Sequence, residues 1–173
     1  MSKRTLEAAK AAWARGYAGL AQEEIDRRVR GIAALIRGIA ESGAATPDEF
    51  SRQTGLEADE ARELFSGLAT YGMEVDRSGN ITGAALTKTP TPHRISFGGS
   101  QFFAWCALDT LFIPGFANEV AEIESTCPVS GTHIRLEVSP EGVVDVDPPD
   151  AALSVVLPGA DPSSSEIGLA SPT

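Results

Sequence analysis

The chain has 173 residues, of which 42% are hydrophobic and 22% charged, so we predict a globular protein of one domain or of two small domains sharing a core. Its net charge of −10 repels phosphate, which argues against a general nucleic-acid-binding surface. Its apolar runs fall far short of the ~20 residues that span a membrane, and the first residues lack the apolar stretch of a secretory signal. We therefore expect a cytoplasmic protein without a membrane partner, whose two cysteines, Cys106 and Cys127, are reduced.

The first third of the chain has the periodicity of helices. Apolar residues at steps of three and four predict a first helix that ends near Gly43: Ile25, Val29, Ile32, Ile36 and Ile39. A short second helix is predicted from Thr46 to Gly55, because a threonine N-cap is followed by a proline and then by a glutamate. A third helix has an apolar face of Leu56, Ala61, Leu64, Phe65 and Leu68. Residues 78–80, Ser-Gly-Asn, then predict the turn of a hairpin.

Two short helices followed by a hairpin, over residues 42–86, have the outline of a winged helix. That outline suggests DNA binding, but the helix that would enter the major groove carries one cation, Arg62, among four carboxylates: Glu57, Asp59, Glu60 and Glu63. A helix that approaches phosphates and base edges needs cations or neutral donors. A helical module packed against the rest of the protein is therefore favoured over a winged-helix regulator, and no nucleic-acid partner is predicted.

The second part of the chain is predicted to begin at a connector interrupted by prolines, "TKTPTPHRISFGG". The apolar stretch after it predicts a helix from about Ser100 to Phe112, stopped by Pro114 and Gly115. Alternating segments then predict antiparallel strands in "EVAEIEST" and "THIRLEVSP", joined through "PVSG", and two more in "GVVDVDP" and "ALSVVLP". The small, polar residues 159–173 predict a disordered tail.

These elements predict an α+β protein. Residues 1–88 would form a helical, winged-helix-like module, and residues 89–158 a small mixed core in which the predicted helix packs on antiparallel strands. Six apolar residues should supply much of that core: Trp105, Leu108, Leu111, Ile134, Leu136 and Val138.

The predicted helix contains an acid and a thiol, Asp109 and Cys106, within an otherwise apolar run. Residues three apart lie on one face of a helix, roughly 5–6 Å apart, so both side chains could reach one small volume. An apolar environment raises the pKa of a carboxyl group and makes it a proton donor, while thiolates bind soft metal ions. The residues alone leave a structural interpretation open, in which Cys106 is a small core residue and Asp109 bonds a backbone amide or an arginine.

The string "FFAWCALDTLFIPGF", with "STCPVSGTHIRLEVSPEGV" and "ALSVVLP", resembles the core of the bacterial organomercurial (alkylmercury) lyases over about residues 80–158. The resemblance implies a cytoplasmic mercury-resistance enzyme that cleaves the carbon–mercury bond by protonolysis, giving a hydrocarbon and Hg(II). Cys106 matches the catalytic cysteine that captures mercury, and Asp109 the aspartate that delivers the proton. Cys127 matches a cysteine that is structural in the family, and His133 is expected to begin a strand.

The same resemblance implies an organomercurial substrate, cellular thiols that release the product, and a mercuric-ion-accepting reductase as a possible partner. It implies no organic cofactor and no resident metal, since mercury arrives with the substrate. The family's second mercury-binding cysteine lies after the segment that "ALSVVLP" matches, where this sequence departs from the pattern at about Pro158. Three interpretations stay open: a shortened relative, a variant in which Cys127 or a small thiol supplies the second sulfur, and a mercury-binding homologue without turnover.

Overall fold

The structure is a computed structural model that describes residues 20–153. Residues 26–153 form one compact unit. The tail predicted at 159–173, and all but the first two residues of the strand predicted in "ALSVVLP", lie outside the described residues. The boundary predicted between residues 88 and 89 stays a prediction.

Helices and a hairpin make up the first half of the described chain: α1 Gln22–Ser42, α2 Pro47–Thr54, α3 Ala58–Ala69, β1 Glu74–Val75 and β2 Ile81–Gly83. Gly43 follows α1 with a positive φ, and the Thr46 hydroxyl accepts the Glu49 N–H at the start of α2, as the sequence predicted. Gly55 ends α2 in the left-handed conformation. The helices and hairpin occur in the predicted order, while the winged-helix designation stays a prediction. No helix within residues 20–153 has the length and apolarity that a membrane crossing requires.

The second half is a six-stranded antiparallel sheet with one helix: β3 Leu86–Thr87, β4 His93–Phe97, β5 Ser100–Ala104, α4 Asp109–Ala117, β6 Ala121–Thr126, β7 His133–Ser139 and β8 Gly142–Asp147. The strand order is β3-β5-β4-β6-β7-β8. Together with the helices, this confirms the α+β class. The two strands predicted from alternation, β6 and β7, are present, as is the further strand predicted in "GVVDVDP", β8, and His133 begins β7.

The sheet has one apolar and one charged face. Along β6 the buried residues Ala121, Ile123 and Ser125 alternate with exposed glutamates, as the strand period requires. The buried face continues the core that lines the three N-terminal helices, including Leu35, Ile39, Phe50, Phe65, Ile81, Leu86, Ile95 and Ile113. The opposite face carries Arg94, Glu124 and Arg135, joined by ion pairs.

The prediction of one helix from Ser100 to Phe112 is wrong, since the structure has a strand, a turn and then a helix in this region. Residues 100–104 form β5, which pairs with β3 on one side and β4 on the other. Only Phe102 and Ala104 of this strand are buried, on one face, while Phe103 on the other face is half-buried. A short apolar run of this kind does not separate a strand from a buried helix by its sequence pattern alone. The helix starts only at Asp109, passes through Pro114 and ends at Ala117, where Asn118 adopts the left-handed conformation.

The predicted core is confirmed fully only at Val138, which is completely buried. The other five predicted members are half-buried: Trp105, Leu108, Leu111, Ile134 and Leu136. Leu111 and Leu136 pack on the edge of the core and also line a cavity on the apolar face of the sheet. The prediction failed for the residues beside this cavity because periodicity identifies the buried face of a strand but not how completely that face is covered.

Candidate active site

Cys106 lies in the short turn, residues 105–108, that joins β5 to α4. The turn is closed by backbone and side-chain bonds. The Asp109 N–H donates to the Cys106 carbonyl (3.2 Å), and the Thr110 hydroxyl donates to the Ala107 carbonyl (2.7 Å). Thr110 is buried, so its bond anchors the start of α4. The turn therefore holds Cys106 at the surface, between the end of β5 and the start of α4.

The acid and the thiol meet here, although not on one helix face as the sequence predicted. Asp109 is the first residue of α4, and its Oδ2 accepts the backbone N–H of Cys106 at 2.9 Å. This hydrogen bond holds the Asp109 carboxyl group on the residue that carries the thiol. Because the carboxyl group folds back onto the turn, the spacing of three residues brings the side chains together by a different geometry from the one expected.

The surroundings raise the pKa of both groups. Burial is the largest cause for the Asp109 carboxyl group, and the hydrogen bonds from Cys106 oppose it. Cys106 is exposed as a residue, but neighbouring atoms partly cover its sulfur, and this partial burial is the largest cause of the raised pKa of the thiol; the Asp109 carboxylate adds to it. Both groups therefore keep their protons to higher pH than they would in water.

A histidine that the sequence analysis did not select lies beside this pair. His93 is half-buried on β4, and its Nδ1 is 3.0 Å from the hydroxyl oxygen of Ser125, its cross-strand neighbour on β6. Burial lowers the pKa of His93, and the charge of Asp109 acts in the opposite direction. The sequence offered little indication that His93 belongs to the site, because it lies in a proline-rich connector. The register of β4 in the sheet brings it near Asp109.

Cys127 follows β6 and belongs to the turn that leads into β7. Its N–H donates to the Thr132 carbonyl, and its own carbonyl accepts the N–H of Gly131, both at 2.9 Å. A hydrogen bond from the Ser130 side chain is the largest cause of the lowered pKa of Cys127. Among residues 20–153, no hydrogen bond or disulfide links it to Cys106 or Asp109. These contacts are those of a turn residue.

An apolar cavity of about 230 Å³ adjoins the turn on the buried face of the sheet. Its wall next to the site consists of Ala107, Thr110 and Ser125, and Ile134, Leu136 and Val146 continue it along the strands. Within the described part of the chain, no three His, Cys, Asp or Glu side chains are grouped so that they could hold a metal ion. Cys106 and Asp109 do not line this cavity themselves but are next in sequence to Ala107 and Thr110, which do. The ligand atoms that a soft metal in a substrate would meet in the turn are the sulfur of Cys106 and the carboxylate of Asp109.

The chain is similar to known alkylmercury lyases. The family model described as "MerB: Alkylmercury lyase" matches residues 86–167, a range that contains Cys106, Asp109 and Cys127 and runs past Pro158. An alkylmercury lyase of Streptomyces lividans is 37% identical over 126 residues, which are 73% of this chain and 58% of that protein. One from Staphylococcus epidermidis is 36% identical over 124 residues, 72% of this chain and 56% of the relative.

Two further matches agree with these. An alkylmercury lyase of Pseudomonas putida is 41% identical over 91 residues, 53% of this chain and 43% of that protein. The crystal structure of the mercury-bound form of MerB2 superimposes with a TM-score of 0.58 and 25% identity, covering 81% of this chain and 67% of that one. The chain spans less than two thirds of the length of the lyases from Streptomyces lividans and Staphylococcus epidermidis.

Proposed function

Because the chain belongs to the alkylmercury lyase family, as its relatives and the match over residues 86–167 establish, we propose that it cleaves a carbon–mercury bond by protonolysis. The products are a hydrocarbon and Hg(II), and the reaction serves mercury detoxification. The observation that carries the proposal is the hydrogen-bonded pair of Cys106 and Asp109 in the turn before α4.

The proton balance of this pair accounts for the reaction. When the sulfur of Cys106 binds R–Hg⁺, the thiol proton passes to the adjacent carboxylate of Asp109, so the site loses no proton to solvent. The Asp109 carboxylic acid then delivers that proton to the carbon as the carbon–mercury bond breaks, and the bonding pair goes to the new C–H bond. The site is left with a Cys106–Hg⁺ thiolate and an ionised Asp109, which was its original charge state.

The remaining parts of the proposal follow from this chemistry. The organic group of the substrate enters the apolar cavity beside Ala107, which is as large as cavities known to bind a benzene ring. No organic cofactor is needed, because the chain supplies both the sulfur and the proton. Small cellular thiols remove Hg(II) by ligand exchange, for transfer to a reductase that accepts mercuric ion. A free thiol at the site suits a reducing compartment, so we place the reaction in the cytoplasm.

Purified protein incubated with phenylmercury and excess thiol tests the function through the release of benzene. We expect release above the protein-free control, and loss of turnover in both Cys106→Ser and Asp109→Asn. In a Cys127→Ser background the two variants should differ in binding: Asp109→Asn still captures one equivalent of phenylmercury, since the sulfur of Cys106 is intact, whereas Cys106→Ser does not.

A matched control is Cys127→Ser, which removes the other thiol of the chain. It should keep turnover, because Cys127 makes only local turn contacts. Benzene release no faster than the protein-free control would contradict the proposed turnover. Capture without turnover by the unaltered chain would instead identify it as a mercurial-binding protein.

A further inference from the structure

Glu74, on β1 of the N-terminal hairpin, makes a set of contacts that the proposed reaction does not use. Its half-buried carboxylate accepts the indole N–H of Trp105 at 3.0 Å and the hydroxyl of Thr87 at 2.9 Å, with a longer contact of 3.4 Å to the Thr89 hydroxyl. Within residues 20–153 Glu74 forms no ion pair, so its partners are neutral donors. A half-buried carboxylate is costly unless such donors satisfy it, which makes this cluster a specific arrangement.

The residue held by Glu74 directly precedes Cys106. The backbone N–H of Trp105 donates to the Ala85 carbonyl at 2.9 Å, and Ala85 has a φ of 60°, an uncommon conformation for alanine. The carbonyl of Ala104 accepts the Thr91 hydroxyl at 2.6 Å. The backbone on the N-terminal side of Cys106 is therefore fixed at Ala104 and Trp105, and Glu74 in addition fixes the side chain of Trp105.

We propose that Glu74 is a positioning residue for Cys106: its carboxylate holds the Trp105 indole and so fixes the turn that presents the thiol to Asp109. The expected effect on turnover rests on the proposed function. The expected effect on the position and accessibility of the Cys106 thiol does not. Glu74 lies outside residues 86–167, so the N-terminal module supplies a part of the site that the family match does not cover.

A substitution at Gly83 offers a second way to displace the Glu74 carboxylate, without changing Glu74 itself. Gly83 is the cross-strand partner of Glu74, and a Cβ built on it would lie 2.5 Å from the Glu74 carboxyl carbon. The atoms that this Cβ would meet belong to the side chain of Glu74 and not to the backbone, so Gly83→Ala should cost the hydrogen bonds of the carboxylate but leave the backbone in place. The carboxylate would then be displaced from Trp105.

The experiment measures two properties of variants made in a Cys127→Ser background: the rate of Cys106 alkylation by iodoacetamide, and kcat and KM for phenylmercury. Glu74→Ala should raise the alkylation rate at least about threefold, since the thiol leaves its fixed place beside Asp109. It should lower kcat about 10- to 100-fold with a smaller change in KM, because capture needs only the sulfur whereas protonation needs the pair aligned. Glu74→Gln retains an acceptor for the indole and should restore most of both properties.

Three comparisons separate positioning from general stability. Trp105→Phe removes the indole donor and should reproduce Glu74→Ala, with no further loss in the double variant. Gly83→Ala should change both properties in the same direction. The matched control is Asp76→Ala, which breaks the turn of the same hairpin, where Asp76 accepts the N–H groups of Ser78 and Asn80, and which does not touch Trp105.

An alkylation rate in Glu74→Ala that is unchanged or slower would overturn the inference, as would an equal increase in Asp76→Ala. If the parent chain releases no benzene, the proposed function fails, while the alkylation rates still decide the role of Glu74. If benzene is released but Glu74→Ala alkylates and turns over like its parent, only the role of Glu74 is refuted.

Discussion

Asp109 meets two opposing requirements. As a proton donor it benefits from a raised pKa, and the burial that raises the pKa of its carboxyl group also makes the charged form costly in the folded chain. The hydrogen bonds from the Cys106 N–H and thiol offset part of that cost. The burial that favours proton donation by Asp109 therefore lowers the stability of the folded chain, a trade-off that is common in active sites.

The pH dependence of turnover should reflect the single proton that Cys106 and Asp109 share. Turnover falls at low pH when Asp109 is protonated and no longer accepts the thiol proton, and falls at high pH when the pair has lost its proton. Because the pKa of each group is raised, the acidic limb should lie above the ordinary 3.8 of an aspartate and the alkaline limb above the 9.0 of a thiol. A profile of kcat/KM for phenylmercury measures both limbs, and a limb on the other side of its ordinary value would contradict this assignment.

Replacing Asp109 by asparagine should stabilise the fold at neutral pH, by roughly 0.5–2 kcal/mol. Since the folded pKa of Asp109 is raised, wild type suffers no penalty below the unfolded pKa, and loses stability relative to Asp109→Asn as pH rises through the folded pKa. Urea unfolding at pH 3.5 and pH 7.5 measures the difference. Asp76→Asn is the control of opposite sign: a side-chain hydrogen bond from Asn80 is the largest cause of the lowered pKa of Asp76, so that variant should lose stability at neutral pH. Equal effects at the two pH values would contradict the argument for Asp109.

At the scale of elements, local signals in the sequence were reliable where they act locally. The Thr46 cap, the end of α2 at Gly55 and the alternation of β6 each depend on neighbouring residues, and each is present. The segment 100–112 was assigned wrongly because a short apolar run is compatible with a strand or a helix, and residues 100–104 form a strand through pairing with β3 and β4, which the local pattern does not show. Whether residues 42–86 constitute a winged helix is a further step that the element order alone does not decide.

Helix packing predicts opposite effects for two glycines. A Cβ on Gly31 of α1 would lie 3.1 Å from side-chain carbons of Leu64 and Leu68, whereas one on Gly67 of α3 meets nothing within 4 Å. Gly67→Ala should therefore stabilise the protein by about 0.5–1 kcal/mol through helix propensity. Gly31→Ala should lack this gain and cost stability through overpacking. Thermal unfolding of the two variants checks the pair, and an equal gain in both would contradict the close approach of α1 and α3.

At the scale of the molecule, the candidate site is assembled from distant parts of the chain. Glu74 comes from the hairpin, His93 from β4, Ser125 from β6, and the turn with Cys106 from the end of β5. The sequence could identify Cys106 and Asp109, because a resemblance and a short spacing link them. It could not identify Glu74, His93 or Ser125, since their proximity depends on strand register and on the fold of the hairpin, which periodicity does not encode.

The cavity on the apolar face of the sheet should set the size of the organic group that the site accepts. Ile134 lines this cavity and pairs with Ser125 across the strands, so Ile134→Phe should narrow the cavity next to Ser125. We expect phenylmercury turnover to fall about 10-fold or more, with methylmercury turnover changed much less, because the smaller group still fits. Val144→Phe is the matched control, since Val144 is exposed and does not line the cavity. The measurement is kcat/KM for both substrates, and an equal loss for the two in Ile134→Phe would show that the organic group lies elsewhere.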